Sequence, residues 1–240
     1  MNVIIQHMPV NILSIWFNIM GWGMIILWII IRYRIQKEKP AIWKAVLAAL
    51  AGIISFSWNM MLMDMVVRIA VLPLGVWILH FFLRKHRYEI YRPYAWIGFW
   101  SNYIFLAAML LSTMIHSVMY PINNADTYLA NVEQAVLIPT HPTAPQAVLH
   151  PKQLRSLIPK LEQAEDQTYT WYSQTSTKGK PDYQMERIPY VVINTHARWG
   201  SGLQSMVYLE RDGKGLLITT EKRQFYYRSE EPLVEIGGGE

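Results

Sequence analysis

Apolar and polar positions alternate in two different regimes along this chain. From Val10 to Ile31 no charged side chain occurs, and Asn11, Ser14 and Asn18 are the main polar members. About 20 apolar residues cross about 30 Å of hydrocarbon at 1.5 Å per residue, so this run predicts a transmembrane helix over about 10–31. A second span is expected over about 41–58, where Ala45, Ala48, Ala49, Gly52 and Ser55 set small side chains three and four apart and form a face for close helix packing. A third is expected over about 60–83, with its outer turn near Trp58 and Asn59 and a kink near Pro73 and Gly75. The fourth covers about 95–119, entered through the interfacial aromatics Tyr91, Tyr94, Trp96 and Trp100.

From Tyr120 onward the pattern is that of a soluble domain. Val132–Ile138, Thr168–Tyr172, Tyr190–Asn194, Met206–Glu210, Gly215–Thr220 and Gln224–Arg228 read as strands, and Leu154, Leu157, Ile158 and Leu161 predict an amphipathic helix over Lys152–Ala164, kinked at Pro159. Asp212-Gly213 between two apolar runs predicts a type I′ hairpin in which Val207 and Leu209 share a face with Leu216 and Ile218. The expected fold is a membrane protein: a four-helix transmembrane bundle over 1–120, followed over 121–240 by an extracytoplasmic α+β domain, an antiparallel sheet with one helix.

Charge sharpens this division. The net charge of +5 invites a nucleic-acid reading. Residues 1–120, however, carry a balance of +7 and residues 121–240 one of −2, so the soluble half is slightly acidic and no nucleic-acid partner is expected. Most of the excess lies in two short loops, Arg32, Arg34, Lys37, Lys39 and Lys44 in one and Arg84, Lys85, Arg87 and Arg92 in the other. Short basic loops stay in the cytoplasm, which sets the N-terminus and the C-terminal domain outside. Met1–Pro9 has no Lys or Arg and no small-x-small cleavage site follows the long apolar run, so the first helix is expected to remain in a cell membrane as part of a multi-pass protein. Cysteine is absent, which excludes disulfides, thiolate metal sites and a cysteine nucleophile.

Candidate sites follow from polar groups in unusual settings. Asp64 and Arg68 interrupt the third span one helical turn apart and are expected to pair near the outer interface, with an ion-coupling role as the sharper reading. Asn102, Thr113 and His116 fall near one face of the fourth span. His141, His150 and His196 have no metal-motif spacing, and no metal or cofactor is expected. No G-x-S-x-G, Walker loop or H-E-x-x-H occurs, and Gly200-Ser201-Gly202 falls short of a nucleophile elbow, so no catalytic residue is assigned. Strand alternation separates Trp171 from Tyr172 and Tyr226 from Tyr227, so at least one of these aromatics is expected to be exposed and available as a binding face.

The reading is a multi-pass protein in the lipid bilayer that presents a non-catalytic extracytoplasmic module for binding, sensing or assembly with a protein partner or further copies of itself. A transporter or channel accessory subunit and a membrane-surface enzyme are the alternatives.

Overall fold

The computed structural model describes residues 11–62, 65–83, 85–165 and 186–237. Two compact units divide the chain. Leu13–Ile115 form one; the start of the chain through Ile12 joins His116 onward in the other.

The first unit is mainly helical, and among the described residues two helices are long and apolar enough to cross a membrane: α1 over Ile12–Ile35 and α4 over Lys85–Met119. The two middle spans expected from hydropathy are not continuous helices. α2 covers Ile42–Ile53 and α3 only Leu74–Phe82, about 18 and 14 Å of rise against the about 30 Å of a bilayer core. Between them, β1 (Phe56–Leu62) and β2 (Met65–Leu72) form an antiparallel hairpin closed at Leu62↔Met65. Trp58 and Asn59, expected at a turn, pair within it with Ile69 and Arg68. Val66, Val67, Ile69 and Val71 are β-branched and Phe56 and Trp58 aromatic, the side chains that suit a pleated ribbon. Apolar length alone does not distinguish such a run from a helix. Pro73, which lacks an N–H, stands at the N-cap of α3 where none is needed.

Close backbone contacts hold this unit together. Ala45, Ala48, Ala49 and Gly52, the small face read from the sequence, are buried. A Cβ on Gly52 would come within 1.9 Å of the Ala95 carbonyl oxygen, and one on Gly75 within 1.7 Å of that of Ala51. Gly75 N–H donates to the Ile54 carbonyl at 2.8 Å, which brings the start of α3 beside the end of α2. The second basic stretch is not a loop, because Lys85–Arg92 already belongs to α4.

Among the described residues of the second unit, six antiparallel strands run in the order β3-β6-β7-β8-β9-β5. They are β3 (Val136–Pro139), β5 (Glu162–Gln163), β6 (Tyr190–Ile193), β7 (Met206–Leu209), β8 (Gly215–Thr219) and β9 (Gln224–Arg228). β4 (Ala147–Val148) pairs with β10 (Glu235–Ile236) in a separate ribbon. One face of the sheet, including Tyr190, Val207, Leu216 and Tyr227, packs on Tyr128 of α5 (Ala125–Tyr128) and on Leu154 and Leu157 of α6 (Pro151–Leu157). The expected strand at Thr168–Tyr172 lies outside the described residues. α6 stops at Leu157 and tightens into a 3-10 turn over Ile158–Lys160 instead of running to Ala164, since Pro159 cannot donate a helical bond.

The β7–β8 register agrees with the sequence reading: Leu209↔Leu216 and Val207↔Ile218 are pairs and all four side chains are buried. The turn does not. Type I′ needs positive φ at both central residues, whereas here Gly213 has φ 71° and Asp212 is not among the positive-φ residues. The loop is wider, closed by Glu210 N–H to the Gly215 carbonyl at 2.7 Å, and the Asp212 carboxylate accepts from the Lys214 and Gly215 amides at 2.9 and 3.3 Å. A main-chain bond from the Gly213 N–H to the Glu210 carbonyl at 2.9 Å still closes a turn, and the Asp212 side-chain bonds add to it.

Candidate functional site

The polar residues of the apolar segments are dispersed. Arg68 lies on β2, opposite Asn59, and Asp64 lies outside the described residues. β2 is extended from Met65 through Arg68, where the expected third span would be helical. Arg68 instead faces a cleft of about 520 Å³ between the hairpin and α4, with Ser55, Ser57 and Asn102 as its other polar lining and Phe105 and Met109 on its apolar side. Among the described residues the Arg68 guanidinium makes no hydrogen bond or ion pair.

Asn102 ties neighbouring backbones together, its Nδ2 donating to the Phe99 carbonyl at 3.0 Å and the Ile53 carbonyl at 3.3 Å. Beside it Tyr103 Oη donates to the Ala70 carbonyl at 2.5 Å and so fixes β2 to α4. Thr113 Oγ1 donates back along its own helix to Met109 at 2.9 Å, a common use of threonine in apolar helices.

His116 belongs to a different constellation, at the end of α4. Its Nε2 lies 2.7 Å from the Ser201 carbonyl, and its ring packs on Tyr120 with centroids 4.8 Å apart. Tyr120 Oη donates to the Trp199 carbonyl at 3.0 Å, and Arg198 Nη1 donates to the Met119 carbonyl at 3.2 Å while Nη2 pairs with Asp126. The Ile12 amide, at the first turn of α1, donates to the Gly200 carbonyl at 3.2 Å. Gly200 and Gly202 both have positive φ, 79° and 66°, and a Cβ on Gly202 would stand 2.9 Å from the Asn11 nitrogen. The Gly-Ser-Gly stretch is therefore a docking loop that closes on two helix ends. It leaves the Trp199 side chain 83% exposed.

The described aromatics of β9 do not form an exposed face. Phe225, Tyr226 and Tyr227 are all buried, and Trp171 and Tyr172 lie outside the described residues. Tyr227 faces the core, and burial pushes its phenol up to about 12. Tyr226, on the opposite face, lies beneath the Arg187 guanidinium, 5.3 Å from its ring centroid. Both surround Glu210, whose carboxylate accepts from Arg187 Nε at 2.8 Å, Tyr226 Oη at 2.5 Å and Arg228 Nη1 at 2.9 Å. Arg228 Nη2 pairs further with Asp212.

Burial, then the bond to Glu210, raises the Tyr226 pKa. Burial opposes the Arg187 charge, but Glu210 and Tyr226 outweigh it and its pKa rises. Two cations and two carboxylates balance, and the Glu210 oxygens are occupied from within the domain. Such a closed cluster organises the fold instead of receiving a ligand. No motif spacing marks it in the sequence, since its members come from three separate stretches of chain.

Among the described residues no group of three or more His, Asp or Glu side chains is arranged to hold a metal ion. No protein-family model matches the chain, and neither a curated protein nor a solved structure matches it.

Proposed function

We propose that this chain is a multi-pass cell-membrane protein that presents a non-catalytic extracytoplasmic sheet domain for binding, sensing or assembly with a protein partner or further copies of itself. α1 and α4 keep only a small part of their apolar windows buried and leave Trp16, Met20 and Leu27 exposed, a distribution suited to lipid rather than to a soluble core.

One observation carries the orientation: the start of α1 and the end of α4 are bonded to the same 198–201 loop. Their opposite ends hold the positive charges, Arg32 and Arg34 on α1 and Lys85, Arg87 and Arg92 on α4, the pattern of cytoplasmic ends. This orientation does not depend on whether α2, the hairpin and α3 cross fully, because they begin and end on the basic side. Asn102, Thr113 and His116 are each engaged with backbone carbonyls, which leaves a transport path without its polar line.

The chain has no native cysteine, so single cysteines report cleanly. Lys37→Cys and Lys85→Cys are expected to resist a membrane-impermeant thiol reagent in intact cells, and Lys152→Cys to react; the reverse pattern inverts the orientation. Purification in mild detergent is expected to recover a stoichiometric protein complex or a homo-oligomer. A lone monomer under those conditions removes the assembly reading.

A further inference from the structure

The β1–β2 hairpin and Arg68 have no role in displaying the sheet domain. A two-stranded ribbon leaves backbone donors and acceptors along its outer edges, and hydrocarbon supplies no partners for them. Beside Ser57, Asn59 and Arg68 its described side chains are apolar, with Trp58, Met61, Val66 and Val71 exposed. Such a ribbon in a membrane needs protein against it.

The position of Arg68 narrows what that protein carries. Its cleft is lined on α4 by Asn102, Phe105 and Met109. Phe105 lies midway between Arg92, the last charge before the apolar stretch of α4, and Met119 at its end, about 20 Å from each at 1.5 Å per residue. If α4 crosses the bilayer, as proposed above, the Arg68 cleft opens near mid-depth, well below the phosphates of either leaflet. An arginine at that depth is costly unless a polar partner or water meets it, an anion satisfies it best, and a carboxylate on a second protein's helix can reach that depth where a lipid headgroup does not. Ser55, Ser57 and Asn102 add hydrogen-bonding groups beside it.

We propose that the Arg68 face of the hairpin, together with Phe105 and Met109 of α4, is the docking site for a partner protein's transmembrane helix that carries an aspartate or glutamate at mid-membrane depth. This rests on the membrane-assembly reading and names the chemistry of its partner. Arg68 supplies a planar pair of donors to the carboxylate, and the apolar stripe of α4 supplies the packing surface.

The test uses the full chain in its native membranes, with p-benzoylphenylalanine at Val66 or Met109 as photo-crosslinker and mass spectrometry of the crosslinked peptide. The expected product is a hydrophobic segment of another protein that contains an Asp or Glu. Arg68→Lys, which keeps the charge but not the paired donors, is expected to lower the crosslink yield less than Arg68→Glu, which lowers it at least tenfold. Changing the partner's acid to Lys is expected to restore the yield with Arg68→Glu. Should Arg68→Glu destabilise the chain, Arg68→Leu, which suits lipid, is expected to give the same loss with its melting temperature retained. A crosslinked lipid, a second copy of this chain, a segment without an acid, or yields insensitive to Arg68→Leu and Arg68→Glu overturns the proposal. If a complex copurifies but is indifferent to Arg68, the assembly reading survives and this inference fails; if no complex forms, both fail.

Discussion

Gly98 of α4 and Ala49 of α2 meet backbone to backbone: a Cβ on Gly98 would stand 1.8 Å from the Ala49 carbonyl oxygen. No rotamer change relieves a clash with a carbonyl, so Gly98→Ala must push the helices apart. Overpacking of this kind costs about 1–3 kcal/mol. Gly23 has nothing within 4 Å of its would-be Cβ, and Gly23→Ala serves as the matched control. Thermal unfolding in detergent is expected to show a lowered midpoint for Gly98→Ala and none for Gly23→Ala. Equal midpoints would mean that α2 and α4 are not in contact in the membrane.

That packing face was legible in the sequence because small residues at spacings of three and four are a local signal, and Ala45, Ala48, Ala49 and Gly52 are the buried residues of α2. The β7–β8 register was legible for a similar reason, since alternation and a turn lie within one short stretch. The hairpin over Phe56–Leu72 was not, because hydropathy measures apolar length and is blind to whether β-branched residues extend or coil. Nor was the burial of Tyr226. Alternation set it on the face away from the core, but what covers that face is Arg187, remote in sequence and without a motif. Sequence period tells which face a residue takes, and long-range chain tells whether that face is wet.

Adjacent tyrosines of β9 are expected to respond oppositely to loss of a hydroxyl. Tyr226 Oη donates to buried Glu210, so Tyr226→Phe leaves a carboxylate short of one donor, at a cost of about 1–3 kcal/mol. Tyr227 Oη is buried with no hydrogen-bond partner among the described residues, so Tyr227→Phe removes a desolvated polar atom and is expected to be neutral or stabilising. Chemical denaturation of both variants checks this. A destabilised Tyr227→Phe would show that its hydroxyl is bonded in solution.

The same residue gives a pH dependence. Burial raises the Tyr227 phenol from 10.0 to about 12, so its folded pKa lies above its unfolded one. Below about pH 10 its contribution to stability is complete; as pH rises from 10 through 12 the unfolded state releases the proton first and stability falls. Tyr226 shifts in the same direction and adds to the fall. Stability measured across this window is expected to decline less steeply in Tyr227→Phe than in wild type. Parallel curves would remove the shift.

The last prediction concerns the loop that closes on the helix ends. Amides in the first turn of a helix have no carbonyl within the helix to bond, so the Ile12 N–H of α1 depends for protection on the Gly200 carbonyl, 3.2 Å away. Its hydrogen exchange therefore reports whether the 198–201 loop is docked. Gly200 has φ 79° and an added Cβ would meet Tyr120 Oη at 3.1 Å and the Ile12 side chain at 3.2 Å, so Gly200→Ala combines backbone strain with crowding at the bonds it would need to keep. Strain of about 1–2 kcal/mol corresponds to exchange at Ile12 faster by about tenfold. Tyr120→Phe removes a single bond to Trp199 and is expected to act in the same direction by less. Amides of the β7–β8 ladder, such as Leu216 opposite Leu209, belong to the sheet core and are expected to keep their protection in both variants. Faster exchange at Ile12 with an unchanged sheet localises the effect to the docked loop. Unchanged exchange at Ile12 in Gly200→Ala would show that the first turn of α1 is held by something other than this loop, and the shared anchoring of α1 and α4, on which the proposed orientation rests, would lose its support.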